Sequence, residues 1–149
     1  MISVPSTYSE WIKVITLLKE KKDDENVLKV MQQGTIEWQT GVAERFAKKL
    51  IEAVNYRMNL ASDRFQKNLM NARGQESAIV NALLGLRKEM MFLSQVVNIP
   101  VLPEKERQHY VQLVISQANS MQSSLEDSAK TDRTGKLASI VRNHKVNSF

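Results

Sequence analysis

The sequence predicts an all-α fold, an elongated bundle of three long helices carrying a small N-terminal helical hairpin. Turn formers are scarce, with five glycines and three prolines in 149 residues, while Leu, Ala, Lys, Glu, Gln and Met are plentiful. Hydrophobic residues at 42% and charged residues at 25% describe a globular chain, large enough to bury a core without cross-links. Apolar residues also recur at helical spacing over residues 36–72, a stretch with no proline and a single glycine, Gly41.

Residues 1–34 are expected to form the hairpin. After a short extended lead, Thr7 and Glu10 stand at capping-box spacing, and Tyr8, Trp11, Val14, Ile15 and Leu18 share one helical face. A charge cluster over residues 19–25 breaks that helix, and Asp23 or Asp24 caps the next. Val27, Leu28, Val30 and Met31 give the second helix its apolar side, and Gly34 is placed to end it. Two helices this short bury too little to stand alone, so the hairpin must pack on the rest of the chain.

Residues 35–129 are expected to form the bundle core. Thr35 is placed to cap a helix over 36–73, in which Ile36, Ala43, Phe46, Ala47, Leu50, Ile51, Val54, Met58, Ala61, Phe65, Leu69 and Ala72 share an arc of roughly 140°. Such a helix runs about 55 Å. Ala47, Leu50, Val54 and Met58, then Met58, Ala61, Phe65 and Leu69, repeat with a 3-4-4 spacing, an eleven-residue period that keeps the seam nearly straight. Trp38 and Val42 lie roughly 100° from the stripe and are expected to receive the hairpin. Lys48, Lys49, Glu52, Arg57, Asp63, Arg64 and Lys67 fall off the arc or at its margins and read as a solvated face.

Gly74 suits the left-handed position that closes this helix, and a tight link makes the next one, over 75–98, an antiparallel neighbour. There Ile79, Leu83, Leu86, Met90, Leu93 and Val97 keep a 4-3-4-3-4 spacing, the pattern of a coiled-coil seam. Val80, Leu84 and Met91 form a second row, roughly a third of a turn away. A helix apolar on two sides is buried between neighbours, in its own chain or in a partner. Pro100 and Pro103 bracket an extended connection, and Pro103, Glu104 and Glu106 suit the first turn of a helix over 103–128. Its expected core stripe is Tyr110, Leu113, Val114, Ala118, Met121 and Leu125. The stretch 116–124, rich in Gln, Asn and Ser, supplies a weakly charged polar side.

Residues 130–149 form a basic tail. Lys130, Arg133, Lys136, Arg142 and Lys145 stand against Asp132 alone, a net of +4, while the preceding 129 residues carry sixteen basic and fifteen acidic side chains, a net of +1. A hinge up to Gly135 leads into a short amphipathic helix with Leu137, Ile140 and Val141 on one side, and a loose end is expected from Asn143.

Little in the chain points to chemistry. No cysteine is present, which excludes disulfides, thiolate catalysis and thiolate-held metals. No glycine-rich phosphate loop, GxSxG or HExxH occurs. Glu106 and His109 spell E-x-x-H, but a di-iron bundle needs two such elements and two further glutamates, and the only other histidine is His144. No catalytic residue, metal or cofactor is therefore expected. No secretory signal opens the chain and no run approaches eighteen apolar residues, so a cytoplasmic protein without a membrane span is expected. The reading favoured is a noncatalytic interaction or adaptor protein that binds another protein or a second copy of itself as a homo-oligomer, with Val80, Leu84 and Met91 at the interface. The alternative is a small nucleic-acid-associated regulatory protein whose five basic tail residues meet phosphates.

Overall fold

The computed structural model describes residues 2–36 and 42–149. Trp38 and Gly41 lie outside the described residues. Within them are six helices and no strand: α1 (Tyr8–Lys19), α2 (Asp24–Gln33), α3 (Val42–Asn71), α4 (Glu76–Val97), α5 (Glu104–Ala129) and α6 (Lys136–Asn143). α3 packs against α4 and α4 against α5, the all-α bundle that the apolar periodicities predict. Gly74 adopts a φ of 77° between α3 and α4, the left-handed geometry that the stop signal requires.

The chain divides into two compact units, and the division falls within the three long helices. One comprises Met1–Arg57 with Ser94–Val111, the other Met58–Leu93 with Gln112–Phe149.

In the first unit, α1 and α2 form the expected hairpin. Thr7 Oγ1 accepts the Glu10 N–H at 3.2 Å, and Glu10 Oε1 accepts from both hydroxyls, Ser6 and Thr7, and from the Ser6 N–H. Those bonds hold the Glu10 carboxyl below the usual glutamate range, the Ser6 hydroxyl contributing most. α1 buries Trp11, Val14, Ile15 and Leu18, and α2 buries Val27, Val30 and Met31. The Trp11 ring meets Phe46 of α3 edge-on, centroids 5.0 Å apart.

The expected start of α3 is corrected, while Gly34 ends α2 as expected. Thr35 does not cap α3, and Ile36 is not helical; the Thr35 backbone serves the hairpin instead, its N–H donating to Pro5 O at 3.0 Å and its carbonyl accepting from Trp11 Nε1 at 2.8 Å. Gly34 ends α2 with a φ of −67°, so no left-handed turn calls for glycine there. The requirement is space: a Cβ on Gly34 would press into the six-membered part of the Trp11 ring and against Pro5.

In the second unit the predicted α4 seam is fully internal as far as this unit extends, with Ile79, Leu83, Leu86, Met90 and Leu93 all buried. α5 is rotated relative to expectation. Val114, Ala118, Gln122 and Ala129 are its buried residues, at spacings of four, four and seven, whereas Leu113, Met121 and Leu125 are only half buried. The cause lies in what packs on α5. α6 and the residues after it bury Ile140, Val141 and Val146. Gln122 ties them down, its Oε1 accepting the Val146 N–H at 3.0 Å and its Nε2 donating to Val141 O at 3.4 Å.

The loose end expected from Asn143 is therefore fastened. Asn147 Nδ2 donates to Asn119 Oδ1 at 2.8 Å, and Arg87 Nε donates to Ser148 O at 2.7 Å. Ahead of α6, Asp132 accepts the Leu137 and Thr134 N–H groups and the Thr134 hydroxyl. These bonds, the Leu137 N–H foremost, keep its carboxyl below the usual aspartate range.

Candidate functional site

The residues singled out for a protein interface stand on the outer side of α4 in the second unit. Leu84 is 41% exposed and Met91 37%, while Val80 is half buried. Leu84 and Met91 are seven residues apart, so they stand on one side of the helix about 10 Å from each other. Ser77 and Asn81 accompany them, uncharged and exposed, together with two cations, the exposed Lys88 and the half-buried Arg87.

The same unit contains a groove of about 360 Å³ whose walls come from α3 and α5. Phe65, Leu69, Leu86, Met121 and Leu125 make its apolar lining. Its polar lining is uncharged throughout: Ser62 and Gln66 on α3, and Gln117, Ser120, Ser124 and Ser128 on α5. Met121 and Leu125 are here because α5 turned Gln122 inward and left part of its expected stripe facing open space. Glu126 and Asp127 stand at the last turn of α5, both exposed, with Glu126 accepting from Gln122 and Asp127 3.4 Å from Lys130 Nζ.

The first unit has a groove of another character, about 450 Å³. Ala43, Ala47, Ile51, Leu102 and Pro103 give it an apolar lining, with Glu44, Lys48, Glu106 and Tyr110 at its polar edge. Burial, and then the Glu106 carboxylate, push the Tyr110 hydroxyl above the usual tyrosine range. The E-x-x-H pair does not converge on anything that would hold a cation. Glu106 and His109 are both exposed, the His109 ring lies 5.5 Å from that of Tyr110, and the described residues include no cluster of three His, Asp or Glu side chains able to hold a metal ion.

Deepest in the first unit is a feature that the sequence reading placed on the solvated face. Arg57 is 1% exposed. Its guanidinium grips Asp24 with two parallel bonds, Nη1 to Oδ1 at 2.9 Å and Nη2 to Oδ2 at 2.8 Å, and Nη1 also donates to Leu18 O at 3.1 Å. α3 is thus joined to the end of α1 and the start of α2. The correction has a plain cause: hydrophobic periodicity treats every arginine as surface, whereas a fork geometry matched by a carboxylate can be buried. The only hint was its pairing with an acid-rich turn at 23–25.

The five basic residues of the tail are all exposed but do not form one face. Lys130 pairs with Asp127, Lys136 Nζ stands 3.8 Å from Glu76, and Arg142 lies about 120° around α6 from Lys136. Among the described residues no helix is long and apolar enough to cross a membrane. No protein-family model, curated protein or solved structure matches the chain.

Proposed function

We propose that this chain is a noncatalytic helical interaction protein that works by burying the outer row of α4 against another protein chain. The observation that carries the reading is the exposure of Leu84 and Met91 on one side of a helix whose opposite side is already buried. Leu84 and Met91 are each about two-fifths exposed, so covering what remains is worth about 1 kcal/mol apiece. The uncharged neighbours Ser77 and Asn81 are cheap to desolvate and can set register by hydrogen bonding. A nucleic-acid role through Lys130, Arg133, Lys136, Arg142 and Lys145 has weaker support, because two of these cations already have carboxylates nearby and α6 divides the rest.

The test is parallel purification of the tagged chain and its Leu84→Glu variant from the native cell, with quantification of everything retained. A chain held by the wild type and lost from the variant, whether a copy of this protein or another, is the expected result. Equal retention by both removes the α4 row from the mechanism. Retention that falls steeply with salt and depends on residues 130–149 favours the nucleic-acid reading instead.

A further inference from the structure

We infer that the groove between α3 and α5 is a binding site for a small uncharged amphiphile, a single alkyl chain ending in a hydroxyl or amide. Its width, the layering of its lining and the neutrality of that lining carry the inference.

Width separates a small molecule from a protein partner. The α5 wall, Gln117 to Ser128, rises about 16 Å, and the α3 wall, Ser62 to Leu69, about 10 Å. Spread over that length, the 360 Å³ of the groove leaves a mean cross-section of roughly 20–35 Å². A helix with its side chains is about 10 Å across and needs roughly 80 Å². A partner's helix can therefore lie only over the mouth, whereas an extended hydrocarbon chain lies inside. The volume is that of about a dozen waters in the liquid, which limits the ligand to about a dozen heavy atoms.

The lining is layered from apolar to polar. Phe65 and Leu86 are buried and make the floor. Leu69, Met121 and Leu125 are half buried and make the walls, so a chain laid between them removes from water the apolar surface that the rotation of α5 left open. The polar residues stand at the rim: Ser62 is half buried, and Gln66, Gln117, Ser120, Ser124 and Ser128 are exposed. Among the described residues none of these six side chains is hydrogen-bonded within the chain, so all are available to a ligand.

Neutrality sets the head group. No charged side chain lines the groove, so an ionic head gives up water there without meeting a counter-charge. Serine hydroxyls and glutamine amides both donate and accept, and a hydroxyl or amide on the ligand answers both. Leu86, on the floor, and Leu84, in the outer row, are two residues apart on α4 and point about 160° from one another. The site and the interaction surface are thus on different sides of α4, and each stands or falls on its own test.

Four probes with the same number of carbons test this on the full chain at neutral pH: 1-octanol, octanoate, octylammonium and cyclooctanol, followed by NMR of the methionine methyl groups. With 1-octanol the Met121 methyl is expected to move along a saturable curve, while that of Met91, exposed on the outer side of α4, stays in place. Octanoate, octylammonium and cyclooctanol should each need about tenfold higher concentration for the same shift. Ser120→Phe, which puts a ring into the slot from an exposed position, should abolish the Met121 response. Ser124→Phe serves if circular dichroism shows that the first variant has lost helix. Ser124→Lys supplies a counter-charge at the rim and should reverse the preference, from 1-octanol to octanoate. No saturable Met121 shift with 1-octanol, or an equal response at Met91, overturns the site. Binding of either ion as tight as that of 1-octanol overturns the uncharged head, and equal binding of cyclooctanol overturns the single chain.

Discussion

Each unit is organised around one buried polar side chain, and the two work differently. In the first, Arg57 holds the α1–α2 turn chiefly through the Asp24 carboxylate, with the Leu18 carbonyl as a further acceptor. In the second, Gln122 holds the C-terminal segment through the Val146 N–H and the Val141 carbonyl, a partnership with backbone. Among the described residues no buried side-chain nitrogen or oxygen lacks a hydrogen bond, so both anchors sit in satisfied surroundings. A charged anchor made of side chains can be replaced as a unit. A neutral anchor that serves backbone cannot, because its partners remain after it is gone.

The largest effect should come from breaking the charged anchor from its exposed end. Asp24 is 34% exposed and Arg57 is not, so Asp24→Ala strips the main acceptors from a cation that water cannot reach. Destabilisation of about 3 kcal/mol is expected, read as a lowered midpoint in urea unfolding at unchanged slope. Arg57→Met in the same background should recover most of that loss, since it removes the buried charge that has lost its carboxylate and keeps much of the volume. Leu18 O keeps a partner in either case, because it also accepts the Lys21 N–H at 3.1 Å. If the double variant is no more stable than Asp24→Ala, the anchor is held by something other than its charge.

Gln122→Leu should cost less, about 2 kcal/mol, and resist compensation. Leucine fills a similar volume, but the Val146 N–H then sits buried with no acceptor. Hydrogen exchange should show that amide and its neighbours losing protection while Trp11 and the hairpin amides keep theirs. Tryptophan fluorescence, which comes from Trp11 and Trp38 within residues 1–57, is a second check that the first unit is undisturbed. Uniform loss of protection across both units would mean that the two anchors support a single cooperative structure.

The same contrast explains what could be read in advance. α4 was legible because one row of apolar side chains, from Ile79 to Leu93, meets one seam, and nothing polar is asked to enter it. The hairpin was legible for the same reason, down to the Thr7 cap. Both anchors were illegible because hydropathy sorts residues by type, and an arginine or glutamine enters the interior only when a specific partner arrives from far along the chain: 33 residues away for Arg57 and Asp24, 24 for Gln122 and Val146. Missing Gln122 had a second consequence. With Gln122 assigned outward, Met121 and Leu125 were assigned inward, and the groove they line could not be foreseen. The outer row at Val80, Leu84 and Met91 was visible as a surplus of apolar residues, and its exposure follows from α4 already having a buried side.

The smallest expected effects lie at the acid-dependent starts of α1 and α6, one in each unit. Glu10 and Asp132 both have carboxyls held below their usual range in the folded chain, so each contributes stability that is present above its unfolded value and is lost as pH falls through its folded value. Both carboxylates are open to solvent, so salt and water keep the contributions small. The partners again differ. When Glu10 is protonated, Thr7 Oγ1 still accepts the Glu10 N–H and α1 stays capped. When Asp132 is protonated, the Leu137 and Thr134 N–H groups face a neutral and weaker acceptor, and the glycine ahead of α6 offers no side chain to replace it. Acid should therefore fray the start of α6 before that of α1. A carboxyl-carbon NMR titration should place both midpoints below the values of unstructured peptides, with the Leu137 amide shifting along the Asp132 curve. Asp132→Asn should flatten that amide's acid limb and leave the Glu10 titration where it was; α1 fraying first would show that its cap depends on the Glu10 charge more than on the Thr7 hydroxyl.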